Sequence, residues 1–372
     1  MVSHLISMGE NFRSIWLKKD DSSIVQIIDQ RKLPHQTIIF DITCYQDGIF
    51  AIREMLVRGA PLIGATAAWS LYLACFKADI NTKHEAIRIA AEEISTARPT
   101  AVNLRGSIQR ILSFIKNVKD EDLVEALKNE VQAICNEDIE ICKSIGKNGL
   151  KIIEDISTKK NHETVNVLTH CNAGALATIN WGTATAPIYY AHQKGIKIHV
   201  WVDETRPRNQ GSQLTTWELE KNKVPHTLIV DSAGGHIMQR GMVDLCIVGS
   251  DRTTRTGDVA NKIGTYLKAL AAADNNIPFY VALPSTTIDW QIDDGISNIP
   301  IEERDPTEVS HIYGESKGHL QTINTVPTSS AISNYAFDIT PANLVTGLIT
   351  EKGLCEASAE GLAELFPDQA KI

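Results

Sequence analysis

The spacing of apolar and polar positions changes character along the chain. Up to about residue 50 the apolar residues come in short runs between turn residues, as in Ile24-Val25-Gln26-Ile27-Ile28 and Thr37-Ile38-Ile39-Phe40. Such runs predict short strands. From Asp47 to about residue 160 the period lengthens. Residues 86–97, 107–116 and 123–146 carry apolar side chains three and four apart, with Ile134, Ile141 and Ile145 on one face, which predicts helices. Between Gly59 and Phe76 there is no charge at all, a length close to that of the shortest membrane spans. Pro61, Gly64, Thr66 and Ser70 dilute that stretch and no companion apolar segment follows, so it reads as a buried core helix.

The polar, aperiodic stretch at residues 157–163, Ser-Thr-Lys-Lys-Asn-His-Glu, marks the expected domain boundary. It divides the chain into a mainly helical domain with a small sheet, residues 1–157, and a second domain, residues 158–372. Beyond it, residues 165–169, 196–202, 226–230, 243–248 and 279–283 form short β-branched or apolar runs. Each leads into a loop, and all but the last into a helix-length segment. That alternation predicts a parallel sheet and an α/β fold class.

Charge narrows the range of partners. The 372 residues hold 36 basic and 45 acidic side chains, a net charge of -9, so no general attraction to nucleic acid or anionic lipid is expected. Seven cysteines, an odd number without C-x-x-C spacing, fit neither a disulfide framework nor a zinc site and favour a reducing cytoplasm. The opening MVSHLISMGENFRSIW lacks the basic-then-apolar pattern of a secretory leader, so none is expected.

In open α/β sheets ligands bind beyond the carboxyl ends of the strands. The residues directly after the five runs are Cys171, Asp203 with Glu204, Asp231, Asp251, and Ser285 with Thr286, all expected to face one crevice. Cys171 lies in Thr169-His-Cys-Asn-Ala-Gly174, where amides of the turn would stabilise a thiolate. A buried inert thiol is the plain alternative, and neighbouring His170 reads as structural. Asp251, in Val248-Gly-Ser-Asp-Arg-Thr253, is approached by apolar residues whose desolvating effect would raise its pKa toward proton donation. A helix cap or a solvated carboxylate is its plain alternative, and spacing does not rank it above Asp203 or Asp231. Asp258-Val-Ala-Asn-Lys-Ile-Gly264 reads as a helix start capped by Asp258, with Lys262 and the first-turn amides disposed toward a phosphate. Arg58 beside Gly59, and Arg98 before Pro99, are further anion-binding candidates. No Walker A loop, G-x-G-x-x-G or H-E-x-x-H is present, which argues against nucleotide hydrolysis, dinucleotide binding and zincin chemistry.

Five strings in order make the chain resemble the methylthioribose-1-phosphate isomerases: VRGAPLIGA from Val57, ARPTAVNL from Ala97, LTHCNAGALAT from Leu168, VDETRPRNQGSQLTTWEL from Val202 and GDVANKIGTY from Gly257. That family shares a superfamily with ribose-1,5-bisphosphate isomerases and with regulatory subunits of the translation-initiation guanine-nucleotide exchange factor. The resemblance is nearly chain-long. It implies a helical N-terminal domain with a small antiparallel sheet, a Rossmann-like C-terminal domain and a homodimer. The implied activity converts 5-methylthioribose 1-phosphate to 5-methylthioribulose 1-phosphate in methionine salvage, without metal or organic cofactor. Carried over by motif, Cys171 and Asp251 are the catalytic pair, and Arg58, Gly59, Ala60, Arg98, Gln210, Asn261 and Lys262 bind substrate, chiefly its phosphate. The alternatives are an isomerase of 5-deoxyribose 1-phosphate or ribose 1,5-bisphosphate, and a non-catalytic regulatory subunit. Ala173, Ser250 and Arg255-Thr256 depart from the family pattern, in which a threonine, an alanine and a short asparagine-containing turn are expected. These departures bear on the shape of the sugar pocket.

Overall fold

The computed structural model describes residues 12–98 and 102–371. The first short runs pair as an antiparallel sheet of β1 (Ile15–Leu17), β2 (Val25–Ile28) and β3 (Ile39–Ile42). Five helices follow: α1 (Tyr45–Arg53), α2 (Ala60–Lys77), α3 (Lys83–Ser95), α4 (Val102–Phe114) and α5 (Leu123–Lys159). The uncharged stretch is α2, and its composition follows from its place. It packs against α1, α3, α4 and α5, so every residue from Leu62 to Cys75 is buried. No helix among the described residues is long and apolar enough to cross a membrane. Helix α5 runs past the expected end at residue 146 because its apolar stripe continues through Leu150, Ile152 and Ile153.

The later runs form a seven-stranded sheet. Its first strands are β4 (Val165–Thr169), β5 (Ile198–Asp203), β6 (His226–Ile229) and β7 (Leu245–Val248). Helices α6 (Thr185–Gln193), α7 (Thr216–Lys221) and α8 (Ala233–Gln239) provide the crossovers. After β7 the alternation breaks, and β8 (Arg252–Thr254) and β9 (Val259–Lys262) turn back as an antiparallel pair before α9 (Thr265–Asp274) and β10 (Phe279–Ala282). Then come β11 (Ile288–Asp289), an antiparallel hairpin of β12 (His311–Ser316) and β13 (His319–Asn324), and β14 (Phe337–Thr340). The last strands are β15 (Gly347–Ile349) and β16 (Leu354–Cys355). The large sheet has the order β16-β15-β10-β7-β4-β5-β6, parallel except for β16, and β11-β8-β9-β14 form a separate four-stranded sheet.

The expected helix start at Asp258 is overturned by this second sheet. Residues 259–262 are a fully buried strand whose partner is β14, in the register Val259↔Thr340 to Lys262↔Phe337. Asp258 caps no helix; its carboxylate accepts from the Gly295 and Ala342 amides. The helix begins after Gly264, whose φ of +101° marks the turn out of the strand.

Candidate functional site

Strand β4 ends at Thr169, and the chain then bends through Cys171 in the left-handed region, φ +66°. A non-glycine residue there is held against an intrinsic cost of about 1 kcal/mol or more. The holding groups are visible. Thr205, itself at φ +63°, accepts from the Cys171 amide through Oγ1 at 2.8 Å, and the Thr215 hydroxyl donates to the Cys171 carbonyl at 2.6 Å. Arg58, in the turn before α2, donates to Cys171 Sγ at 3.3 Å and to both the carbonyl and the side-chain oxygen of Asn172, at 2.6 and 2.7 Å. Gly59 is required at its position: φ is +87°, and a Cβ would lie 2.3 Å from the Ala177 carbonyl oxygen.

A small cavity, about 40 Å³, opens above these groups, lined by Arg58, Gly59, Ala60, Pro61, His170, Cys171, Asn172, Ser250, Asp251 and Asn261 among others. Cys171 and Asp251 therefore share one chamber. Asp251 arrives from the other side, where its amide donates to the Ala260 carbonyl at the start of the β8–β9 pair. A second cavity adjoins the first through Ala60 and Asp251, and its other walls are mainly Ile63, Val102, Ile299, Pro300, Ile301 and Phe337.

Two helix N-termini come near this chamber, and they differ. The first amides of α9 already have an anion, since Gly264 and Tyr266 donate to the Asp338 carboxylate at 2.7 and 3.1 Å. Helix α2 instead presents Gly59, Ala60 and Pro61 to the cavity, with first-turn amides that helix bonding leaves unmatched. The positive end of α2, beside Arg58, is thus the helix terminus left open toward the cavity. Lys262 adds charge from below. Its ammonium donates to the Ala336 carbonyl at 2.9 Å and stands 4.7 Å over the Phe337 ring. Burial pushes it below its ordinary value, the charges of Cys171 and Asp251 oppose that shift, and Arg58 and Arg304 reinforce it.

Of the residues singled out in the sequence, Arg58, Gly59, Ala60, Cys171, Asp251 and Asn261 line one cavity, and Lys262 lies within electrostatic reach of its two reactive groups. Arg98 lines the adjoining cavity and is paired with Glu302 at 3.3 Å; Pro99, Thr100 and Ala101 of its string lie outside the described residues. Gln210 lines neither cavity; it is buried, and its Oε1 has no hydrogen-bond partner.

The expectation of a single crevice for all strand-end residues does not hold. Asp203 is buried against His170 Nδ1 at 2.9 Å and Lys268 Nζ at 3.2 Å, Asp231 accepts from the Thr205 and Arg206 amides, and Thr286 lines a separate groove beside α4. His170, Asp203 and Asp231 are close enough to hold a cation, and the ammonium of Lys268 already reaches that position. Sequence reasoning missed Asn172 and Glu218. Asn172 stood next to the singled-out cysteine, while Glu218 looked like an ordinary helix-surface charge.

Comparison with known proteins decides the family. The initiation factor 2 subunit family matches residues 56–357. The methylthioribose-1-phosphate isomerase of Desulfatibacillum aliphaticivorans is 55% identical over 365 residues, covering 98% of this chain and 99% of its own. The chain belongs to the methylthioribose-1-phosphate isomerase family. A crystal structure of the 5-methylthioribose 1-phosphate isomerase from Pyrococcus horikoshii OT3 superposes with a TM-score of 0.84 at 34% identity, over 96% of each chain. One described as translation initiation factor eIF-2B, subunit delta, from A. fulgidus gives 0.80 at 36%, over 96% of this chain and 100% of that one. Of the departures from the family pattern, Ala173 and Ser250 fall at the cavity wall, whereas Arg255 and Thr256 line neither cavity and bond to Asp293 in an exposed turn. A Cβ at Gly249 would lie 2.6 Å from that of Ala173, and the Ser250 hydroxyl is 2.8 Å from that of Thr253.

Proposed function

We propose that this protein is the aldose–ketose isomerase that converts 5-methylthioribose 1-phosphate to 5-methylthioribulose 1-phosphate, acting in the cytoplasm as a homodimer. The observation that carries the reading is that Cys171 and Asp251 line one chamber together with Arg58 and the N-terminus of α2, with Lys262 within electrostatic reach of both. A regulatory subunit would have no use for a thiol and an acid gathered around an anion site.

An aldose 1-phosphate cannot open by the usual route, because its anomeric oxygen is esterified. The Asp251 carboxylic acid donates its proton to the ring oxygen, the C1–O4 bond breaks with its electron pair going to O4, and C1 becomes a phosphate-substituted oxocarbenium centre. The hydrogen on C2 then moves to C1 and the 2-hydroxyl proton leaves to the Asp251 carboxylate, giving the C2 ketone. Either the hydrogen crosses as hydride while the Cys171 thiolate balances the charge, or the thiolate takes it as a proton, an enol forms, and the proton returns to C1. Arg58, donating to the sulfur, supports the thiolate in both. The phosphate is assigned to the α2 N-terminus with Arg58, Gly59, Ala60, Asn261 and Lys262, while Arg98, paired with Glu302, and Gln210, which lines neither cavity, are left without a direct contact to it.

The adjoining apolar cavity favours an uncharged C5 substituent. Its arginines are already committed, Arg98 to Glu302 and Arg252 to Asp289. The test is kcat/KM on 5-methylthioribose 1-phosphate, 5-deoxyribose 1-phosphate and ribose 1,5-bisphosphate. The expected result is turnover of the first, with the bisphosphate disfavoured by about 100-fold or more because its second phosphate would be buried without a free cation. No turnover of the first sugar would end the reading. Label at C1 after turnover in deuterated water would exclude the hydride route.

A further inference from the structure

Glu218 is a buried acid in α7 that no step above uses. Its surroundings are unusual for a carboxylate because, among the described residues, they contain donors and no paired cation. Asn172 Nδ2 donates to it at 2.9 Å, the Ala175 amide at 2.8 Å, the Leu176 amide at 3.0 Å and the Tyr189 hydroxyl at 3.1 Å. Four donors match the acceptor capacity of an ionised carboxylate. Burial pushes its pKa up, while the bonds from Asn172, Leu176, Ala175 and Tyr189 pull it back. The loop from Asn172 to Leu176 is wrapped around this carboxylate so closely that a Cβ on Gly174 would lie 2.2 Å from Oε2.

The contact with Asn172 reaches the chemistry. With Nδ2 committed to Glu218 and to Thr215 Oγ1 at 3.2 Å, the amide is oriented so that Oδ1 must face the other way. There it accepts from Arg58, the guanidinium that donates to Cys171 Sγ. We propose that Glu218 is a positioning residue which, through the orientation of Asn172, holds the Arg58 guanidinium on the Cys171 sulfur and so keeps the thiol in its reactive thiolate form.

The proposal rests on the reading of Cys171 as the reactive thiol, but its test needs no substrate, so its failure and that of the isomerase reading are distinguishable. Among the described residues, the charged or titratable groups facing the sulfur are Arg58 from the turn before α2, which donates to it, and Lys262 from β9, within electrostatic reach, while Asp251 from the turn after β7 and His170 from its own segment line the same cavity. Only the first is tied to Glu218. The rate of iodoacetamide labelling at the Cys171 peptide is measured against pH in the full chain, with Cys171→Ser as the blank and the melting transition as the check on folding. Glu218→Gln keeps the shape but places an NH₂ group against donors. Its labelling inflection is expected to rise by about one pH unit, a roughly tenfold slower reaction at pH 7. Asn172→Ala removes the relay itself and is expected to shift the inflection in the same direction, which also decides the matter if Glu218→Gln does not fold. Arg58→Ala sets the full scale of the shift. An inflection unmoved in folded Glu218→Gln or Asn172→Ala, or unmoved in Arg58→Ala, overturns the proposal. A purely structural role would lower the melting temperature and leave the inflection in place.

Discussion

The two walls of the central chamber are built on opposite plans. On the Cys171 side nearly every polar atom is committed: Thr205 and Thr215 grip the backbone of the cysteine, Arg58 its sulfur, and Glu218 anchors the loop beyond it. On the Asp251 side the backbone is held by the β8–β9 pair, yet the Asp251 carboxylate makes no hydrogen bond among the described residues. On the proposed mechanism the caged group is the thiol, which must stay in place, and the acid that would meet an incoming ring oxygen has no partner among the described residues to give up. The wall that carries the thiol should therefore be fragile to mutation in stability, and the wall that carries the acid should be fragile only in activity.

The largest effect expected from that contrast is on turnover. Cys171→Ser and Asp251→Asn should each lower kcat by about 10²–10⁴-fold, the scale of a lost acid–base contribution, while Asp251→Asn leaves the melting temperature near that of the parent. Near-normal turnover in either variant would remove its assigned role. Next is Gly59→Ala, expected to destabilise by about 2–4 kcal/mol in denaturant unfolding, since it combines a left-handed φ with a clash against backbone at Ala177. A neutral result would mean that the turn before α2 yields easily. Thr215→Val should cost about 1–3 kcal/mol by leaving the Cys171 carbonyl and the Asn172 amide short of a partner. A cost below that of a typical surface change would show that the thiol wall is not caged as described.

The smallest effect lies outside both walls. Burial pushes the Asp138 carboxyl up to about 7, against the lowering bond from the Ile179 amide. Its folded value lies above the unfolded one, so its contribution to stability is present at low pH and is lost as pH rises from about 4 through about 7. Asp138→Asn should therefore raise the melting temperature more at pH 8 than at pH 5. An equal shift at the two pH values would contradict the assignment.

The legible parts of this molecule are those in which local pattern and tertiary role agree. The central strands β4, β7 and β10 announce themselves because a strand covered on both faces must be largely apolar, and α2 does the same for a helix surrounded by helices. The edge strand β6 is half exposed and is legible only from its place in the alternation. Cys171 and Asp251 follow from the rule for strand ends. Residues 258–262 were illegible for the opposite reason. Asp-Val-Ala-Asn-Lys has a good helix-start signal, but its partner strand lies more than seventy residues away, and that pairing outweighs the local preference. Asp203 and Asp231 met the strand-end rule and yet serve His170, Lys268 and the amides of Thr205 and Arg206, a division of labour that spacing does not encode. Glu218 carries no sequence signal at all, because only the folded loop turns an exposed-looking helix charge into a buried template.

Helix α5 spans 37 residues, about 55 Å at the usual rise per residue, and packs on α2 at one stage and on α6 and β15 at another. One apolar cluster draws its members from both halves, from Ile15 in the first sheet to Ile349 in the large one. A single helix thus lends its apolar stripe to both halves of the chain, so the two halves share one hydrophobic core along its length.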